Sequence, residues 1–453
     1  MTQQQSIHGE WSSKLAFIMA ATGSAVGLGN IWKFPYITGE NGGGAFVMVY
    51  LICIALVGIP IMMAETMLGR RAKQSPINAL KALSQEAEAH ENWHYLGWLG
   101  VTAGFLILSY YSVIAGWASA YVFKSLSGAF SGQGSAEIKA LFEQFVASPL
   151  QLTCWHSAFM AVTMWVVARG VRGGLEKAVQ FMMPSLFLIL LILVGYAMTT
   201  GHYSQGLSFL FAPDFSKISG QSILIAMGHS FFTLSLGMGA IMVYGAYLPG
   251  HVSISKATLL VAGADTAVAL LAGVAIFPLV FANQLEPSAG PGLIFQTLPI
   301  AFGQMTAGNV IGTLFFILVV FAALSSSISL IEPMVAWLIE NHGFKRSHAC
   351  WVAGAAAWLL GLGTVLSFNH WSEVKLFGHT FFELLDYLTA NIMLPVGGFF
   401  VAIFAGWVML REHSESELEM SPMFYEIWRI LVRYVAPAAV FVVFLSVVGV
   451  LAP

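Results

Sequence analysis

The stretch ATGSAVGLGNIWKFP, residues 21–35, lies inside the first apolar run of the chain. A run of that length crosses a bilayer as a helix. This one carries Gly23, Gly27, Gly29 and Pro35 where a spanning helix is regular. Glycine weakens a helix interior, and backbone groups left unpaired in hydrocarbon find no water. The segment therefore either does not span, or it is broken around something that replaces the lost hydrogen bonds.

Composition excludes the first alternative. Hydrophobic residues make up 58% of the 453, charged residues 9%, and the mean hydropathy is +0.78. A soluble domain carries about 25% charged residues, so the chain reads as an all-α polytopic membrane protein. A net charge of −3 gives no ground for a nucleic-acid partner. Cys53, Cys154 and Cys350 lie in or beside apolar runs without metal-ligand spacing and read as packing residues. The N-terminal MTQQQSIHGEWSSK lacks a basic n-region and a small-residue cleavage site, so the first run is expected to be retained.

Working outward, apolar runs of about 20 residues predict eleven spans. They fall near 15–37, 43–69, 97–124, 155–171, 175–200, 221–247, 256–284, 307–340, 349–368, 376–410 and 427–451. The eighth and tenth are long enough to tilt or project. With the N-terminus inside, only Lys33, Lys124, Lys139, Lys217 and Lys375 of the 19 Lys and Arg residues fall outside. This bias predicts a multi-pass protein of the cell (inner) membrane, N-terminus cytoplasmic and C-terminus outside. Two outer connections stand out. Residues 125–153 contain AEIKALFEQFV, which reads as a surface helix. Residues 285–306 hold an apolar stretch too short to span, bounded by Gly and Pro, which reads as a hairpin dipping toward the membrane as a lid.

The sixth span repeats the anomaly of the first. In HSFFTLSLGMGAIMVYGAY, residues 229–247, Gly237-Met238-Gly239 echoes Gly27-Leu28-Gly29. One such motif is explained by close helix packing. Two, in corresponding positions and flanked by hydroxyl or amide side chains, point to a transporter built from repeats. Its half-helix N-termini hold an anionic group while its freed carbonyls coordinate cations.

Glu65, His229, Asp265, Glu332 and Asp386 lie inside or at the edge of apolar sequence. An Asp at a helix centre costs about 2.5–3.5 kcal/mol on insertion scales and faces a partner or a cavity. No basic residue occurs within two turns of Asp265, which makes a bound cation its natural partner. Ser325, Ser326 and Ser327 add hydroxyl oxygens of the kind a hard cation accepts, although serines in membrane helices also bond back to their own carbonyls.

In this order, GSAVGLGNIWKFPYITGENGGGAF, SYY, FFTLSLGMG and SSSISLIEP resemble the neurotransmitter:sodium symporters, in particular their bacterial amino-acid transporters. The resemblance runs from about Trp11 through the tenth span. It implies two inverted five-helix repeats with broken helices 1 and 6, over about 11–200 and 218–410, plus one accessory helix near 427–451. Many members have two accessory helices. The implied activity is symport of sodium with a neutral, hydrophobic or aromatic L-amino acid.

Residue by residue, the resemblance implies two sodium sites. The first comprises Ala25, Asn30, Thr233 and Asp265; the second comprises Gly23, Val26, Ala322, Ser325 and Ser326. The substrate carboxylate would meet the amides near Leu28 and Gly29, the Tyr111 hydroxyl and the first sodium. Its side chain would lie among Ser24, Ile107, Phe232, Ser235, Met238, Ser326 and Leu330, and the resemblance places Ala25 and Thr233 at the substrate as well as at the first sodium. An outer gate falls on Lys33 and Asp386, with Lys in place of the more usual Arg and its bidentate geometry. Inner gate positions fall on Trp11, Tyr247, Glu332 and Glu340, with His8 where the family has an arginine. Asp265 already supplies negative charge beside the first sodium, so transport is expected without chloride. His229 stands where a glutamine is common.

Three competing readings carry less. A proton-coupled carrier of the same fold would route protons through Asp265 and His229. A channel needs a continuous polar track, whereas the polar groups here cluster at mid-membrane. A hydrolase has no GxSxG elbow, and the adjacent His229 and Ser230 do not face each other on a helix.

Overall fold

The computed structural model describes residues 8–286 and 290–447. Each of the eleven apolar runs corresponds to helical structure. Eight helices are long and apolar enough to cross a membrane among the described residues, and nine when the bent first pair counts as one span. The sixth span and the last helical stretch, Pro422–Val447, complete the series. The residues predicted beyond 447 lie outside the described ones.

The first span starts at Lys14, where the Ser13 hydroxyl accepts from Ala16 N at 3.1 Å. It stops at Ala25, because Val26 turns extended at ψ 102°. It resumes as a wide π-type turn over Gly29–Lys33 and continues to Glu40, bent by 50° from its first half. The sixth span splits into Gly220–Thr233 and Ala240–Ala246, each half too short to span alone. Between them Ser235, Gly237 and Gly239 take φ of 55°, 76° and 74°. Glycine adopts that left-handed region without penalty. Ser235, which bears a Cβ, is a strained residue of the kind that marks functional backbone.

The unbroken spans form the walls. The second covers Gly44–Ala72 and the third Glu91–Leu126. The fourth begins at Pro149, six residues before its predicted start, because polar Gln151 and Thr153 mask its first turn while Ser148 caps it. The seventh is Ile254–Ala282. The eighth, Gly308–His342, has 35 residues, about 50 Å of helix against about 30 Å of hydrocarbon, so it projects as expected. It packs along the third, and the first half of span 1 lies against the seventh and eighth. The two breaks therefore sit side by side inside a cage of spans.

The surface helix is present as Ser135–Val146. In the 285–306 connection, Leu293, Ile294 and Phe295 are buried, with the Phe295 ring 5.6 Å from Trp117 and 5.3 Å from Tyr121. A short helix, Thr297–Gln304, completes the dip, and residues 287–289 of that predicted hairpin lie outside the described ones. Cys53 and Cys350 are buried, but Cys154 is exposed on the fourth span rather than packed.

Candidate functional site

The break in span 1 is held by its own side chains. Asn30 Oδ1 accepts from Gly27 N at 3.0 Å, and the Leu28 N–H donates to the Tyr111 hydroxyl at 3.3 Å. The Asn30 amide also donates to the Asp265 carboxylate at 2.7 Å and to its backbone oxygen at 3.0 Å. Thr233, the last residue before the second break, donates to both Asp265 carboxylate oxygens at 3.2 and 3.1 Å. Asn30, Thr233 and Asp265 are thus brought together from three spans, as expected. Among the described residues no cationic side chain pairs with this buried carboxylate. A buried anion without a counter-charge is costly, and a small cation between these oxygens would offset that cost.

A second oxygen cluster lies where span 1 meets span 8. The Ser326 hydroxyl lies 3.5 Å from Gly23 O, 3.1 Å from Ser24 O and 3.4 Å from Val26 O. Ser325 donates to Ala322 O at 3.0 Å and to Phe321 O at 3.1 Å. The expected five residues converge, and their oxygens suit sodium, a hard cation. Ser327 turns away to Thr163, 3.0 Å distant.

Between the clusters is a small cavity. Its lining is Ser24, Ala25, Gly27, Leu28, Gly29, Ile107, Tyr111, Phe232, Ser235, Met238, Ser326 and Leu330. This is the expected substrate set with one exchange: Thr233 faces Asp265 instead, and Gly27 takes a place on the wall. Gly27 leaves this space open, since a Cβ there would sit 2.5 Å from Ser326 Oγ and 3.0 Å from the Tyr111 hydroxyl and would force Ser326 to move. Ser235 closes the floor by donating to Ser24 O at 2.8 Å, which ties one break to the other.

Two buried titratable residues lie near the second break. Glu65, which the sequence marked only as a buried acid, accepts the Gly237 N–H at 2.7 Å. His229 is buried with neither ring nitrogen partnered among the described residues, its ring stacked on Phe34 at 6.1 Å and tilted against Tyr50 at 5.5 Å.

The gate positions divide. Lys33 and Asp386 do not form the expected ion pair within 4 Å; the Lys33 ammonium lies 4.9 Å over the Phe232 ring, a cation–π contact. On the opposite face Trp11 is buried, donating its backbone N–H to Tyr247 O at 3.0 Å and its indole N–H to Tyr244 O at 3.1 Å. The Tyr247 hydroxyl donates to Glu332 at 2.7 Å, and Arg346 pairs with the same carboxylate at 2.5 Å. His8 meets Glu340 at 2.8 Å, and Glu340 also accepts from Ser75 N and Asn78, each at 2.7 Å. Sequence reasoning missed Arg346, Ser75 and Asn78. Arg346 opens the helix after Glu332's, and no periodicity links the two.

Two helices broken at one depth turn freed carbonyls and hydroxyls toward one cavity, and the seventh span sets an uncompensated carboxylate, Asp265, against Asn30 and Thr233 beside it. That arrangement defines a secondary transporter coupling a small solute to cations. The model of the sodium:neurotransmitter symporter family matches residues 8–136 and 133–453. The chain is 38% identical to the uncharacterized sodium-dependent transporter YhdH of Bacillus subtilis over the full length of both. It is 34% identical to a sodium-dependent transporter of Haemophilus influenzae, over 98% of this chain and 99% of that protein. It is 24% identical to the human sodium- and chloride-dependent GABA transporter 2, over 87% of this chain and 71% of that protein. Among solved structures, MhsT in complex with L-phenylalanine superposes with a TM-score of 0.90 at 42% identity, over 97% of this chain and 99% of that one. The chain belongs to the sodium:neurotransmitter symporter family: it is a multi-pass, sodium-dependent membrane transporter, not an enzyme.

Proposed function

We propose that this transporter imports a neutral L-amino acid with a hydrophobic or aromatic side chain, driven by two sodium ions and without chloride, by alternating access. The observation that carries this reading is the two-ended cavity. At one end lie Leu28, Gly29 and Tyr111, the Leu28 N–H on the Tyr111 hydroxyl, beside Asn30 and Asp265. These groups suit a carboxylate lying next to a sodium ion. At the other end Ile107, Phe232, Met238 and Leu330 form an apolar wall, with Met adaptable to bulk. MhsT, 42% identical, was solved with L-phenylalanine, which supports an aromatic solute. Sodium, as cargo, would be taken by Ala25, Asn30, Thr233 and Asp265 at one site and by Gly23, Val26, Ala322, Ser325 and Ser326 at the other.

In this reading the contacts of Trp11, Tyr247, Glu332, Arg346, His8 and Glu340 close the cytoplasmic side, while Lys33, Phe232 and Asp386 attend the outer one. The two repeats rock against each other about the fixed site. The excess of Lys and Arg on the N-terminal side supports a cytoplasmic N-terminus and an outer C-terminus. Asp265 supports chloride independence. A chloride about 4 Å from that carboxylate, at an effective dielectric of about 20, would be repelled by about 4 kcal/mol.

The test is uptake of labelled phenylalanine by the purified protein in liposomes. Uptake should require an inward sodium gradient, carry sodium with it, and persist when gluconate replaces chloride. Equal uptake in sodium and potassium would overturn the coupling. A best ligand that is acidic or basic would overturn the substrate class. Collapse in gluconate at neutral pH would overturn the role given to Asp265.

A further inference from the structure

An open cleft of about 600 Å³ lies apart from the transport site, lined by residues of the third span, the surface helix and the fourth span. The third span ends at Leu126 and the fourth begins at Pro149, so the cleft sits at one membrane surface, on the face opposite the start of the first span. Its one cationic side chain is Lys124, half-buried, with its ammonium 5.4 Å from the centre of the Phe145 ring. Among the described residues no carboxylate lies within 4 Å of that ammonium. By contrast Lys217, in another connection on the same face, pairs with Asp214 at 3.9 Å. The side-chain amide of Gln151 and the indole N–H of Trp155 also line the cleft, and neither has a protein acceptor among the described residues. Apolar surface flanks these donors: Phe123 is 59% exposed and Leu126 66%.

We propose that this cleft binds an anionic phospholipid, its phosphate at Lys124, Gln151 and Trp155 and an acyl chain along Phe123 and Leu126. Unpartnered donors beside exposed apolar side chains at a membrane surface match an amphiphile with a charged head. A free anion would use the donors and leave the apolar wall bare. A zwitterionic lipid would bring its own cation close to a lysine that has no carboxylate to share. The interfacial tryptophan and the lysine are the residue types that sit at headgroup depth.

The full-length protein in mixed micelles, given equimolar phosphatidylglycerol and phosphatidylcholine with the same chains, is examined by native mass spectrometry for retained lipid. Wild type should retain phosphatidylglycerol preferentially. K124Q should lose about fivefold of that preference, the effect of one basic residue near a membrane surface, and K124R should keep it. The wild-type preference should itself fall as salt rises, which tests the charge without any variant. Equal retention of the two lipids by wild type, or an unchanged preference in K124Q, overturns the proposal. Displacement of the lipid by excess inorganic phosphate would assign the donors to a free anion and overturn it as well.

Discussion

Replacing Gly27 by alanine adds one carbon at the point where the broken first span touches the third and eighth spans. That carbon would sit 2.5 Å from Ser326 Oγ and 3.0 Å from the Tyr111 hydroxyl. Tyr111 is held by the Leu28 N–H at 3.3 Å, so the cheaper response is for the Ser326 side chain to swing away. Ser326 then leaves Gly23 O, Ser24 O and Val26 O, and the second oxygen cluster loses a hydroxyl. Overpacking costs about 1–3 kcal/mol and a lost hydrogen bond about 1 kcal/mol. A net loss of about 2–3 kcal/mol corresponds to binding about 30- to 150-fold weaker. The assay is labelled phenylalanine binding to purified protein, titrated with sodium. G27A should shift the sodium dependence to higher concentration by that factor. Because the damage acts through one hydroxyl, S326A added to G27A should cost far less than S326A alone, a non-additivity that a double-mutant cycle detects. Wild-type sodium dependence in G27A, or fully additive effects of the two changes, would refute the reasoning.

Three further outcomes follow from the same geometry. E65A leaves the buried Gly237 N–H without its acceptor and should weaken substrate binding about tenfold or more; E65Q, which keeps an acceptor oxygen, should retain most of it, and equilibrium binding of both variants checks this. D265N should make transport chloride-sensitive or abolish it, read as uptake in chloride against gluconate; chloride-independent uptake at the wild-type rate would contradict the charge argument. R346M strands the buried Glu332 carboxylate beside Tyr247, which costs about 3–5 kcal/mol where a buried pair is broken; it should loosen the cytoplasmic closure, measured as faster labelling of a cysteine placed at Ser75, while E332Q/R346M together should recover much of the loss.

Much of the site is legible in the sequence because its signals are local. A glycine pair inside an apolar run, an Asp with no nearby base and a row of serines each announce themselves within a few residues. They located both breaks, Asp265 and the run Ser325, Ser326 and Ser327, while Asn30 was named only through the family resemblance. Features that depend on side-chain partners across spans were not legible. Lys33 was expected on Asp386 and lies over Phe232. Glu65 was a buried acid without a task until the Gly237 N–H was found on it. Thr233 was expected both at the substrate and beside Asp265 and takes only the second place, while Gly27, whose missing Cβ leaves room beside Ser326 and Tyr111, lines the cavity.

The sequence by itself determined the number and positions of the spans, the two interrupted helices and the side-chain chemistry at mid-membrane. Burial in hydrocarbon forces long apolar runs, and helix breaks need residues whose backbone tolerates them. The tertiary structure decided which oxygen meets which hydrogen. The pairs that matter, Asn30 with Asp265, Ser326 with Val26 O and Glu332 with Arg346, join different helices. Whether such groups meet depends on how each helix is rotated and tilted against its neighbours. Packing sets those angles, and the length of an apolar run does not encode them.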